Sequence, residues 1–177
     1  LLPTTTWGTT YVGVQAYPRD PLLGEVSSPS LQLVAAEDGT TITVTPTACG
    51  VLQTWVAAEE RSDAFVSCAE TADAVSLTAF SQFHRFFGAD DREEYLCQGE
   101  PRPLGAPVGT TWRTTCVRDG ETAVWNGEVL EPGSLDVGGV DVDVEQVVWT
   151  IDNGDPDDSQ RTETWYLAGT DLVVRRV

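Results

Sequence analysis

The chain has 177 residues, 41% of them hydrophobic, and a formal net charge of −18 from 28 acidic and 10 basic residues. That length is one domain by default, so residues 1–177 are expected to fold as a unit, and no window approaches the roughly 18 apolar residues of a membrane span. The charge argues against nucleic acid or an anionic membrane as partner, because both select basic patches.

All ten basic residues are arginine, and methionine is absent. The missing methionine points to a processed precursor or an expressed fragment whose leader is already gone. Four cysteines, Cys49, Cys68, Cys97 and Cys116, fall at two equal intervals with no Cys-x-x-Cys spacing. An even count without zinc spacing in a strand-rich chain predicts two disulfides and hence an exported, extracytoplasmic protein, secreted or held at the outer face of the membrane. Three connectivities are possible. The local one, Cys49–Cys68 with Cys97–Cys116, is expected, each bridge contributing about 3 kcal/mol by loop entropy.

Residues 1–10 read as a frayed entry anchored by Trp7, and Tyr11–Tyr17 as a first, weakly alternating strand. Pro18–Pro29 is proline-rich and reads as a loop. Leu31–Val34, a turn at Glu37–Gly39 and Thr41–Thr45 make a hairpin with Ile42 and Val44 inward. Val51–Val56 and Ala64–Cys68 make the next pair; Ala57–Glu60 between them reads equally as a turn or a short helical turn. Val75–Phe80 alternates and runs into Phe83-His-Arg-Phe-Phe-Gly88, the most aromatic segment. Asp90–Glu94 reads as a charged turn and Tyr95–Cys97 as a short strand. Residues 98–109, with three prolines and three glycines, are the candidate crossover between halves.

Thr111–Arg118, Asp119-Gly120 and Glu121–Trp125 predict a type I′ hairpin with Cys116 opposite Ala123 and Thr114 opposite Trp125. Glu131–Gly133 is a turn. Two hairpins close the chain. In Leu135–Val144, a Gly138-Gly139 turn puts Val137 opposite Val140 and Leu135 opposite Val142, with Asp141, Asp143 and Glu145 on the other face. In Arg161–Arg176, a type II′ turn at Gly169-Thr170 puts Leu167 opposite Leu172, Trp165 opposite Val174 and Glu163 opposite Arg176. Between these hairpins the apolar phase slips, either through a bulge near Gln146 or because the strand is buried on both faces at its far end. No ten-residue stretch has a 3.6-residue period. The fold expected is mainly β: a curved antiparallel sheet or half-barrel of consecutive hairpins with little helix.

Several candidate sites reduce to ordinary structure. His84, the only histidine, excludes a multi-histidine metal site and sits among phenylalanines, where a packed, hydrogen-bonded imidazole is expected. Asp152–Asp158 has calcium-loop composition but not the spacing, since position three from Asp152 is Gly154 and position five Pro156. Asp141, Asp143 and Glu145 read as a solvent face rather than as paired glycosidase carboxylates. There is no nucleophile elbow around a serine. No catalytic residue, metal or cofactor is therefore expected, and the chain reads as a non-enzyme.

Cys49-Gly-Val51, His84–Gly88, Gly109–Cys116, Leu135–Gly139 and Thr164–Arg176 together resemble a group of uncharacterised exported proteins of high-GC Gram-positive bacteria. The C-terminal portion, a β-meander ending in a Trp-Tyr strand, is also similar to envelope β half-barrels of the lipoprotein-carrier type. That second resemblance implies an apolar groove on the concave face. Phe80, Phe83, Phe86, Phe87, Trp112, Trp125 and Trp165 are the candidate lining of such a groove, holding a lipid or other amphiphile. The alternative is an envelope interaction module that presents its surface to a protein or a cell-wall polymer.

Overall fold

The computed structural model describes residues 9–16, 29–35, 41–136, 140–154 and 159–177, with side chains from Ile42 onward. The expected Trp7 anchor, the Pro18–Pro29 loop as far as residue 28, the Glu37–Gly39 turn, the Gly138-Gly139 turn and the end of the Asp152–Asp158 loop lie outside these residues.

Every described element is a strand. Their order is β1 (Thr9–Ala16), β2 (Pro29–Ala35), β3 (Thr41–Pro46), β4 (Gly50–Ala58), β5 (Arg61–Thr71), β6 (Ala74–Phe86) and β7 (Ala89–Gly99). Then come β8 (Arg102–Pro103), β9 (Thr111–Arg118), β10 (Glu121–Val129), β11 (Gly133–Asp136), β12 (Asp141–Asp152), β13 (Ser159–Leu167) and β14 (Val173–Arg176). They form one antiparallel sheet in which sequence neighbours pair from β1 to β7, then β9, β10, β12, β13 and β14; β8 pairs with β6 and β11 with β12. This is the curved, mainly antiparallel fold expected from the alternating pattern.

The sheet rolls until its halves face each other. The Trp125 ring on β10 lies 4.8 Å from Phe80 on β6 and 6.0 Å from Phe65 on β5. Phe80 stacks on Tyr95 at 4.4 Å, and Trp149 meets Trp112 and Trp125 edge-on at 5.1 and 5.8 Å. These rings, with Val147, Ile151 and Tyr166, form the principal core on the concave face. A smaller cluster of Leu52, Ala64, Val66 and Ala79 lies on the opposite face of β4–β6.

Both bridges, Cys49–Cys68 and Cys97–Cys116, are closed. Cys116 is opposite Ala123 and Thr114 opposite Trp125, and Asp119 and Gly120 both have positive φ, as a type I′ turn requires. Leu135 pairs with Val142.

Four local readings are corrected. Asp90–Glu94 is not a turn but part of the long strand β7, paired with β6; the reversal is at Phe87-Gly88, where both residues have positive φ. The Ala57–Glu60 segment is no helical turn: β4 continues to Ala58, which pairs with Arg61 after a bulge. In the last hairpin Leu167 lies opposite Leu172 as expected, but Thr170 N donates to Leu167 O, which centres the turn on Ala168-Gly169 rather than Gly169-Thr170. Thr170 Oγ1 donates to Leu167 O and accepts from Leu172 N, which widens the loop. A bulge follows, so Trp165 pairs with Arg175 and Thr164 with Arg176, while Glu163 pairs with Val177. One residue of slip exchanges the two faces. It turns Arg176 inward and brings Arg175 opposite Trp165, its guanidinium 4.6 Å from the ring. Trp165 itself faces outward because Thr164 and Tyr166, its neighbours on β13, face inward.

The fourth correction concerns Glu145 on β12, where the phase slip has the second of its two expected causes. The pairing of β12 with β13 runs from Val144 to Asp152 without a register shift, so no bulge accounts for the phase slip. The strand is instead buried on both faces, with Val147, Trp149 and Ile151 on one and Val144 and Val148 on the other. Glu145 shares the inward face and is buried, not solvated with Asp141 and Asp143.

Candidate functional site

Two regions depart from ordinary strand packing: the middle of the concave face and the tip of the β6–β7 hairpin.

The middle of the concave face is polar at its centre. Arg102, on β8 between two prolines, is 3% exposed. Its Nη1 donates to Glu145 Oε2 at 2.8 Å; its Nη2 donates to Asp171 Oδ1 at 2.7 Å and to Thr170 O at 3.1 Å. Its guanidinium carbon lies 3.9 Å from the centre of the Tyr166 ring. Burial pushes the Tyr166 phenol above its ordinary value, and Trp149 Nε1 donates to its oxygen at 3.3 Å. Nearby, Gln53 Nε2 donates to Asp171 O at 2.6 Å and Gln53 Oε1 accepts from Val173 N at 2.9 Å. This one side chain joins β4 to the start of β14 across the face. A buried guanidinium that spends its donors on two carboxylates and a carbonyl is a clamp on three chain segments, not a free reagent.

Beside the clamp little space remains, while toward the end of the roll Phe80, Tyr95 and Trp125 border a more polar space of about 220 Å³. The cavity beside the clamp is about 50 Å³, with Phe65, Leu77, Trp112, Trp125 and Trp149 on its apolar side. That is room for a water molecule or two, against the roughly 300–1,000 Å³ of ordinary ligand pockets.

The expected lining residues divide. Phe80, Trp112 and Trp125 meet in the core. Phe83 is half-buried, with Arg85 and Arg92 guanidinium carbons 5.5 and 5.8 Å from its ring. Phe86 is 64% exposed and Phe87 wholly exposed at the hairpin tip. Trp165 is on the outward face, because Thr164 and Tyr166 on either side of it are the buried, inward residues of β13. Sequence reasoning missed Arg102 and Asp171 and placed Glu145 on the solvent face. The available signal was an arginine flanked on both sides by proline; the acidic partners had none, because acidic residues are spread along the whole chain.

The hairpin tip is built differently. Phe87 has φ of 50° and Gly88 of 81°. Arg85 Nε and Nη2 donate to the carboxylate of Asp90 at 2.6 and 3.1 Å, holding the Asp90 carboxyl below its ordinary range. Outside the roll, exposed Leu96 and Val117 face each other on β7 and β9. His84 packs edge-on to Phe86 at 5.9 Å, but its buried Nε2 finds no partner among the described residues, so the expected hydrogen-bonded imidazole is only half realised. In the acidic loop, Gly154 N donates to Asp152 Oδ1 at 2.8 Å, an Asx turn.

Residues 1–73 match a family model described as IgGFc binding protein. The match takes in β1 to β5 and the Cys49–Cys68 bridge, less than half of the chain. No curated protein and no solved structure matches the chain. Neither resemblance drawn from the sequence, to exported proteins of high-GC Gram-positive bacteria or to lipoprotein carriers, finds support in these comparisons.

Proposed function

We propose that this chain is an extracellular, non-catalytic protein-binding module that meets its partner with the aromatic tip of the β6–β7 hairpin. One observation carries the reading: Phe87 is wholly exposed and has left-handed backbone geometry. A bulky L-residue in that region costs about 1–2 kcal/mol, where asparagine or glycine at the same turn costs less. Neither packing nor backbone preference accounts for phenylalanine there. Strain and exposed apolar area at one residue point to recognition, and Phe86 widens the apolar tip.

Four further facts fit. The middle of the concave face is occupied by the aromatic core and the Arg102 clamp, and the space left toward the end of the roll is lined largely by polar and charged side chains, which disfavours an amphiphile held inside. Disulfides belong to oxidising compartments outside the cytosol. The family model over residues 1–73 carries a protein-binding description, which makes immunoglobulin Fc the first partner to try. An acidic surface of −18 favours a basic patch on that partner.

Surface plasmon resonance against immunoglobulin Fc tests the proposal with Phe87→Asn. The variant is expected to melt at a higher temperature and to bind at least about tenfold more weakly, a loss of roughly 1.4 kcal/mol. Unchanged affinity would remove the hairpin tip from the interface. An amphiphile in the native mass spectrum of protein purified without detergent would restore the carrier reading.

A further inference from the structure

Three of the ten arginines and the only histidine converge on one cleft of about 520 Å³ at the end of the roll, in a chain whose net charge is −18. Arg61 and Asp63 come from β5, His84 from β6, Arg161 from β13 and Arg176 from β14; Trp55 of β4 supplies an apolar wall. In strand register Arg61 is opposite His84, and Trp55 opposite Asp63.

The polar groups of this cleft do not satisfy one another. The guanidinium carbon of Arg176 lies 4.3 Å from the Phe65 ring centre and 5.3 Å from that of Trp55. Its Nε is buried and has no acceptor. Desolvation holds its pKa below the ordinary arginine value, with the Asp63 carboxylate opposing that shift through space. Asp63 is 2% exposed, and its Oδ1 is buried without a donor. His84 Nε2 is likewise unmet. Arg61 is exposed and makes no ion pair among the described residues, while Arg161 on the rim bonds Glu163 at 2.5 Å. Buried polar atoms are nearly always partnered in folded proteins. Here an unmet donor and an unmet acceptor sit in the same cleft.

We propose that this cleft binds a small hydroxylated carboxylate of sugar-acid size. The carboxylate accepts from Arg176 and Arg61. A ligand hydroxyl donates to Asp63 Oδ1, and the ring body lies against Trp55. Both charges are needed to choose this class. A neutral sugar leaves the Arg176 donor without its anionic acceptor. A compact inorganic oxyanion has no donor for Asp63 and is repelled by it. The cleft volume is within the range of ordinary small-molecule sites, about 300–1,000 Å³. This site is separate from the Phe87 tip and does not depend on the protein partner proposed above.

Calorimetric titration of the full chain with sodium glucuronate is the test, with glucose and sodium sulfate as comparison probes. Glucuronate is expected to bind saturably with Kd at or below about 1 mM, and both comparison probes at least about tenfold more weakly. Arg61→Ala and Asp63→Asn should each weaken glucuronate binding about tenfold or more, while Phe87→Asn leaves it unchanged. Because Asp63 is buried, its variant is first checked for native melting; if it fails to fold, exposed Arg61 carries the test. No saturable heat with glucuronate overturns the proposal. Equal binding of sulfate and glucuronate, which would mean an adventitious ion only, overturns it too. So does equal binding of glucose.

Discussion

At the scale of single residues, Arg102 is held by two carboxylates, a backbone carbonyl and the face of Tyr166. It is buried with Glu145 and Asp171, whose carboxylates are 2.8 and 2.7 Å away. Removing one member of a buried ion pair leaves an uncompensated charge, which costs about 3–5 kcal/mol. Arg102→Ala is therefore expected to lower the unfolding free energy by that amount in urea titrations, since it strands two carboxylates at once. Arg102→Met combined with Glu145→Leu and Asp171→Asn should lose much less, because no charge then stays buried alone. A triple variant as unstable as Arg102→Ala would mean that the packing of the arginine stem, not its charge, holds the segments together. Phe87 illustrates the opposite case. Its side chain touches water and its backbone is strained, so its value to the protein does not lie in the fold.

At the scale of the element, the β9–β10 hairpin shows how one small residue admits a large one. Gly127 is opposite Trp112, and a Cβ placed on it would lie 2.3 Å from two atoms of the indole ring. The indole covers the bare backbone of β10 and from there reaches Trp149 edge-on. Gly127→Ala is expected to displace the Trp112 ring and to cost about 1–3 kcal/mol by overpacking. The measurement is a denaturation midpoint together with the near-ultraviolet circular dichroism of the tryptophan cluster. If the midpoint falls while the tryptophan signal is unchanged, the ring has not moved and the cost belongs to the strand backbone. The neighbouring element β7 is instructive for another reason. Asp90, Asp91, Arg92, Glu93 and Glu94 pair residue by residue with Arg85, His84, Phe83, Gln82 and Ser81 of β6. A strand with so many charges persists because cross-strand partners such as Arg85–Asp90 and Arg118–Glu93 offset them.

At the scale of the whole molecule, the roll is held closed by side chains rather than by a strand ladder. β4 and β14 are not neighbours in the sheet, yet the Gln53 amide bonds both Asp171 O and Val173 N. Ile42, Val44, Val51 and Trp55 pack against Leu172 and Val173 at the same seam. Gln53→Ala removes both bonds and leaves a partly buried N–H and C=O unmet, at a cost of about 1–3 kcal/mol. Amide exchange of Val173 should then accelerate markedly, while the Val147 amide, deep in the sheet, slows or speeds only with global stability. Equal acceleration at both positions would mean that the seam does not open locally.

Alternation and turn chemistry were enough to read the antiparallel pattern, the Asp119-Gly120 hairpin with its register, and the local cysteine pairing. Each depends on contacts between residues near in sequence, where side-chain period and turn type act directly. Tertiary structure decided the rest. Whether Glu145 faces water or Arg102 depends on a strand 43 positions away. The face taken by Arg176 depends on a bulge at Val174, past the turn, which the alternating pattern does not mark. Whether the curved sheet leaves a groove or fills it depends on how far it rolls. That is set by aromatic packing between strands distant in the chain, and no local pattern encodes such packing.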